Sequence, residues 1–281
     1  MGRAAAAQLP ELFLGHLGPQ GSRRTARSRR TQVAQDRRVS PAVRVFETPE
    51  AVSVAARDLF VTKARAAIAA RKRFDVVLAG GRTPEAVYKL LVASDLEWKR
   101  IHVWFGDERC VPPVHVDSNF HMAAEALLTK VSIPAGNVHR MHGELEAYRS
   151  AEAYENEMKR EFKLDDGEWP RFDLVLLGMG PDGHTASLFP DTTALEDDQQ
   201  LCCATWVEKL KAYRITLTYP VLNQAAHVLF LACGADKATA LKLATADEVD
   251  HKTPPAGRVR PNAGELEWFI DRALAAASGR G

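Results

Sequence analysis

Three things are scarce in this sequence, and each scarcity removes a class of protein. Cysteine is rare: Cys110, Cys202, Cys203 and Cys233 are the only four in 281 residues, and they lie either far apart or side by side. That spacing matches neither a zinc C-x-x-C pair nor the dense disulfide framework of a small secreted domain. The four read as reduced thiols, with Cys202 and Cys203 buried in a strand, because adjacent cysteines rarely close an unstrained bridge. Long apolar runs are missing too; Gly, Asp or Lys interrupts each one well short of the roughly 20 residues a membrane-spanning helix needs. Charge of one sign is also short, since 37 Lys and Arg face 36 Asp and Glu for a net charge of +1. Such a balance offers no overall field to nucleic acid or to an anionic membrane, so neither is an expected partner and any anion recognition has to be local. What remains is a chain 46% hydrophobic and long enough to bury a continuous core.

The charge is unevenly spread. Residues 1–40 carry eight arginines against Glu11 and Asp36, with many small and hydroxyl residues and no apolar period. An Arg-rich, acid-poor start predicts an organelle transit peptide, and the apolar stretch Leu12–Leu17 is too short for a secretory signal. Plastid import is the favoured address, mitochondrial import the next; a basic tail on a cytoplasmic protein is the plain alternative. Without this segment the rest is mildly acidic. A single domain is expected over residues 41–281.

From Pro41 onward, apolar runs alternate with amphipathic stretches, the pattern of βα units. Ala51–Arg71 reads as a long helix, with Val54, Leu59, Val61 and Ile68 among its apolar members. Asp75–Ala79, Ile101–Phe105, Phe172–Leu177, Tyr213–Thr218 and His227–Cys233 read as strands, several too uniformly apolar to have a wet face. Helices are expected near Pro84–Val92, Ser118–Leu128, Tyr148–Phe162, Lys237–Thr245 and Ala263–Ala276, and Asp165–Pro170 as a surface loop. Together these predict an α/β fold of three layers, with a mostly parallel, Rossmann-like sheet flanked by helices.

In a parallel sheet ligands bind beyond the carboxyl ends of the strands, so the residues after each strand carry the functional reading. Gly80-Gly81-Arg82-Thr83-Pro84 permits close backbone approach, with Thr83 a potential N-cap and Pro84 suited to a first helical turn, which makes a ready anion site. An ordinary tight βα turn is the plainer alternative. Gly106-Asp107-Glu108-Arg109 adds a guanidinium fork suited to phosphate, which a neighbouring carboxylate can hold in place; the alternative is a solvated surface ion pair. Gly178-Met179-Gly180-Pro181-Asp182-Gly183-His184 is the most informative segment. A neutral imidazole at His184 can take a proton from water, and Asp182 can orient it. Ser187, close behind, lacks a nucleophile-elbow pattern and reads as structural. His139 and His142 could share a helix face, but without further ligands they make an incomplete metal site, so no metal and no cofactor are expected.

These segments, followed by Ala186-Ser187-Leu188-Phe189-Pro190, Arg214-Ile215-Thr216-Leu217-Thr218, Gly234 with Lys237-Ala238, and Val259-Arg260-Pro261, resemble the glucosamine-6-phosphate isomerase/6-phosphogluconolactonase superfamily. The resemblance runs from about Arg44 to Leu274 and favours the lactonase branch. It implies hydrolysis of 6-phospho-D-glucono-1,5-lactone in the oxidative pentose phosphate pathway, with His184 as general base beside Asp182. It also implies that Arg109 and Lys237, with Arg214 beside them, hold the phosphorylated sugar lactone; Gly80, Gly81, Arg82 and Thr83 of the anion loop and Asp107 complete the expected binding residues. Arg82 departs from the family, which usually has serine there. The isomerase/deaminase branch is implied to carry glutamate five residues after the motif histidine, where this chain has Phe189. A non-catalytic sugar-phosphate-binding protein is a second alternative. Oligomeric state stays open, a monomer included.

Overall fold

The structure, a computed structural model, describes residues 41–280. The basic segment 1–40, expected to be a transit peptide, lies outside the described residues. Among the described residues no helix is long and apolar enough to cross a membrane.

The chain opens on strand β1 (Ala42–Phe46), then enters helix α1 (Pro49–Arg71). Thr48 caps α1 by accepting the Ala51 N–H at 3.2 Å, Pro49 starts its first turn, and Lys72 closes it in the left-handed conformation at φ 61°. Val52, Ala56, Phe60, Ala64 and Ile68 form its buried stripe at a spacing of four, whereas Val54 is 41% exposed. Strand β2 (Phe74–Leu78), helix α2 (Arg82–Leu91), strand β3 (Ile101–Phe105), short strand β4 (Asp107–Arg109) and helix α3 (Asn119–Ala126) follow. Helix α4 (Ala147–Phe162) leads to strand β5 (Leu174–Gly178), and strands β6 (Cys202–Val207) and β7 (Ala212–Leu217) form a hairpin. The chain ends with helix α5 (Tyr219–Asn223), strand β8 (His227–Ala232), helix α6 (Ala238–Ala244), strand β9 (Glu265–Asp271) and helix α7 (Arg272–Ala277).

Six strands make one sheet, every pair parallel, in the order β1-β9-β8-β5-β2-β3. The near-uniform apolarity of β2, β5 and β8 follows from burial on both faces. Val77, Val175, Leu177, Val228 and Phe230 point into one core, while Val76, Leu78, Leu174, Leu176, Leu229 and Leu231 point into the other. Each such side chain contributes about 1.5–3 kcal/mol by leaving water, so neither face can be opened cheaply. A second sheet, β4-β7-β6, is antiparallel. Its β7 covers most of the Tyr213–Thr218 run, so that run belongs to a separate small sheet and not to the parallel one. Cys202 and Cys203 lie buried in β6 as free thiols.

Two further expectations are corrected. Ala263–Ala276 is not one helix: Glu265–Asp271 forms β9, paired with β1 on one side and β8 on the other, and only Arg272–Ala277 is helical. The alanine-rich end suggested a helix throughout, but Trp268, Phe269 and Ile270 are buried between the layers and Asp271 caps the true helix, accepting from Leu274 N at 3.0 Å. His139 and His142 share no helix either; both lie in the loop before α4.

Chain direction positions the site. From β2 the chain steps outward to β3, whereas β5 pairs on the other side of β2 and leads to β8 and β9. The carboxyl ends of β2 and β5 therefore flank the point where strand order reverses, where a crevice opens in such sheets.

Candidate active site

A cavity of about 890 Å³ lies at that reversal. Its wall includes Gly80, Gly81, Arg82 and Thr83 after β2, Asp107 and Arg109 in β4, His184 after β5, and Lys237 after β8. Of the expected site residues only Asp182 and Arg214 do not line it. They form the layer behind: Asp182 touches His184, and Arg214 pairs directly with Arg109 across the β4–β7 ladder.

The loop after β5 is built to present one imidazole. Gly183 adopts φ +78°, a conformation costly for other residues, and a Cβ on Gly180 would fall 2.2 Å from His184 Cε1. The Gly180 N–H donates to the His184 carbonyl at 3.0 Å, and the Gly183 N–H to the Gly180 carbonyl at 2.9 Å, which closes the turn. Asp182 Oδ1 lies 2.5 Å from His184 Nδ1. A carboxylate there can only accept, so Nδ1 carries the hydrogen and the lone pair sits on Nε2. Phe189 stacks on the imidazole, ring centroids 4.0 Å apart and 19° from parallel. Lys209, which no local motif singles out, donates from Nζ to Asp182 Oδ2 at 2.9 Å. Burial alone would raise the Asp182 pKa, but the Lys209 and His184 hydrogen bonds outweigh it and hold the carboxyl down at about 2. Asp182 is thus a fixed anion at neutral pH.

The loop after β2 differs from expectation in its cap. Gly81, at φ 104°, occupies the N-cap of α2, and Thr83 lies one residue inside the helix; no side chain caps it. The glycine's freedom at positive φ decides this, since threonine there would be strained. The Arg82 and Thr83 N–H groups make no hydrogen bond among the described residues, and they open on the cavity at the positive end of a ten-residue helix. The Arg82 side chain is exposed and makes no ion pair among the described residues. Gly80 is as tightly constrained: a Cβ would fall 2.0 Å from Asn119 Oδ1.

Glu108 does not hold the Arg109 fork, contrary to expectation. Its buried carboxylate accepts the Asn119 N–H at 2.7 Å, the Phe120 N–H at 2.8 Å, the Arg109 N–H at 2.8 Å and the Ser118 hydroxyl at 2.9 Å. It anchors the start of α3, where backbone donors outcompete a mobile guanidinium. Burial nevertheless pushes its pKa up, against these four hydrogen bonds. The Arg109 guanidinium instead donates to the Asp117 carbonyl. Arg109 and Arg214 make no ion pair with a carboxylate among the described residues; burial first, then Arg109, lowers the Arg214 pKa. Two adjacent guanidiniums with no ion pair of their own among the described residues favour an anionic ligand. Asp107 is fixed by Ser187 Oγ, which donates to Oδ2 at 2.6 Å, and by Asn119 Nδ2, 3.1 Å from Oδ1. Ser187 is 1% exposed, and its hydroxyl is taken up in anchoring Asp107. Lys237 Nζ donates to the Cys233 carbonyl at 2.9 Å and lies 3.2 Å from Asp236 Oδ1.

A doubly covered parallel sheet, with a carboxylate-oriented imidazole, free helix N–H groups and basic side chains around one cavity, defines an α/β enzyme for a small anionic substrate. Comparison with known proteins sharpens this class. The chain matches the family described as Glucosamine-6-phosphate isomerases/6-phosphogluconolactonase over residues 47–268. It is 42% identical over 231 residues to a 6-phosphogluconolactonase of Nostoc sp., covering 81% of this chain and 95% of that one. It is 37% identical to the chloroplastic 6-phosphogluconolactonase 3 of Arabidopsis thaliana, over 72% of this chain and 64% of that one. Among solved structures, the 6-phosphogluconolactonase of Trypanosoma brucei superposes with a TM-score of 0.77 at 32% identity, over 85% of this chain and 98% of that one. The chain belongs to the glucosamine-6-phosphate isomerase/6-phosphogluconolactonase family and groups with its lactonases.

Proposed function

We propose that this enzyme hydrolyses 6-phospho-D-glucono-1,5-lactone to 6-phosphogluconate. The observation that carries the reading is the Asp182–His184 pair at the cavity wall, with the unprotonated Nε2 left without a protein partner among the described residues. A δ-lactone is an activated ester, so its hydrolysis asks for an oriented water, a base and oxyanion donors. In this reading His184 Nε2 takes a proton from water as the oxygen attacks C1. The tetrahedral intermediate then collapses with cleavage of the bond from C1 to the ring oxygen, and His184 returns the proton to that oxygen. Asp182 stabilises the imidazolium in between, and Lys209 keeps Asp182 ionised. Arg109, backed by Arg214, and Lys237 hold the phosphate, while Gly80, Gly81, Arg82 and Thr83 offer N–H groups to an anionic oxygen. Asp107 orients through its contacts with Ser187 and Asn119. Phe189 favours hydrolysis over the isomerase or deaminase reading, because it covers the imidazole with a ring where that branch is implied to need a carboxylate.

The names of the plant relatives, which include the word chloroplastic, together with the basic composition of residues 1–40, support plastid import of this chain. Activity is tested by assay on freshly generated 6-phosphogluconolactone with the spontaneous rate subtracted. Turnover with that lactone and none with glucosamine 6-phosphate is expected; the reverse preference would sink the reading.

A further inference from the structure

At the opposite ends of the strands, away from the cavity, a second cluster of chemistry-bearing side chains is assembled. Among the described residues two groups of histidine and carboxylate have donor atoms close enough to share a metal ion. In the first, around His227, both carboxylates already face cations, Glu265 with Lys63 at 2.8 Å and Glu267 with Arg44 at 3.7 Å. The second is different. His102, near the start of β3, and His139, in the following loop, face each other with Nδ1 and Nε2 3.1 Å apart, and Glu161 on α4 completes a group whose donors all lie within 4.8 Å.

We propose that His102, His139 and Glu161 form a binding site for a divalent transition ion of the zinc type, distinct from the catalytic cavity. Two imidazole nitrogens bound to one tetrahedral zinc, at about 2.0–2.1 Å each, stand roughly 3.3 Å apart, close to the separation found. The tautomer of His139 suits a ligand: Glu157 Oε1 lies 2.7 Å from its Nδ1, so that nitrogen carries the hydrogen and Nε2 turns its lone pair toward His102, whose Nδ1 donates to it and would give up that hydrogen to bind an ion. This carboxylate–histidine arrangement orients metal-bound imidazoles and raises their basicity. His139 cannot swing away, since it is 2% exposed and stacked on Trp104, centroids 3.9 Å apart. Charge balance agrees. Arg73 is engaged by Asp75 at 2.8 Å and lies 3.6 Å from Glu161, so the carboxylates of Asp75, Glu157 and Glu161 exceed that one cation by two. Glu161 and His102 are only partly buried, which leaves room for a water as fourth ligand and a path for the ion. None of these residues lines the cavity.

The test uses tag-free full-length protein stripped with chelator and titrated calorimetrically with Zn²⁺, and separately with Co²⁺ for its visible ligand-field bands. One ion per chain and a raised Tm are expected, with kcat and KM on the lactone unchanged by chelation. His102→Asn and Glu161→Gln, at partly exposed positions that spare the Trp104 stack, should each weaken Zn²⁺ binding by about tenfold or more while circular dichroism stays native. Absence of stoichiometric Zn²⁺ binding would overturn the proposal, and so would binding of undiminished affinity in both variants, because the ion would then sit elsewhere.

Discussion

His184 and Arg109 make different demands on kinetics, because one acts on the reacting atoms and the other at a distance from them. Replacing His184 by Ala removes proton transfer, which typically contributes about 10²–10⁴-fold, so kcat should fall by that factor with little change in KM. Near-normal kcat in His184→Ala, after correction for spontaneous hydrolysis, would remove His184 from the mechanism. Arg109→Ala should mainly raise KM, by roughly 10–100-fold for a lost charge-assisted contact, and Arg109→Lys should recover only part, since a point charge does not reproduce the fork. Asp182 has its own pH signature. Its pKa is depressed from 3.8 to about 2 in the folded chain. Its ionised form therefore contributes stability that is complete above pH 3.8 and lost as pH falls toward 2. Lys209→Ala should move that loss to higher pH, readable by acid unfolding and by the carboxyl titration of Asp182 in NMR. A wild-type acid transition in the variant would show that Lys209 does not hold the carboxylate.

At the scale of elements, the strand that carries Arg109 is fixed to the helix that supports the glycine loop. Glu108 joins β4 to the start of α3, and Asn119, the first residue of α3, packs against Gly80 and bonds to Asp107. Glu108→Gln keeps the shape but has one acceptor oxygen for four donors, and it sets an NH₂ against backbone N–H groups. Each buried group left unsatisfied costs about 1–3 kcal/mol, so denaturant unfolding should show a loss of at least that size, with KM rising as the loop after β2 loosens. An unchanged denaturation midpoint would refute the anchoring role. The same contacts explain why the fork's partner differs from expectation: adjacency in sequence put Glu108 beside Arg109, but neighbours in a strand point to opposite faces.

For the whole molecule, the proposed division is between a basic leader and a folded enzyme. Family similarity spans residues 47–268, and the described fold begins at residue 41. Deleting residues 1–40 should leave kcat, KM and Tm of the remainder unchanged, while a fluorescent tag at the C-terminus of the full chain should report import into an organelle. Loss of folding on truncation, or a cytosolic signal from the full chain, would overturn the leader reading.

What could be read without the fold was whatever a few consecutive residues decide. The Asp182-Gly183-His184 pairing spans two residues, and the Gly80-Gly81 turn is set by local backbone freedom, so both were legible. The apolar strands β2, β3, β5 and β8 were too, since burial on both faces leaves a nearly continuous apolar run. β9 was misread because its alternating start and an alanine tail imitate a helical period, and only its pairing with β1 and β8 selects the strand. Packing alone brings Lys209 to Asp182, 27 residues away, Ser187 to Asp107, 80 away, and His102 to His139, 37 away. A local pattern holds no record of such contacts. They depend on strand order and on which side of each crossover a loop lies, and those follow from the joint burial of two cores rather than from any single segment.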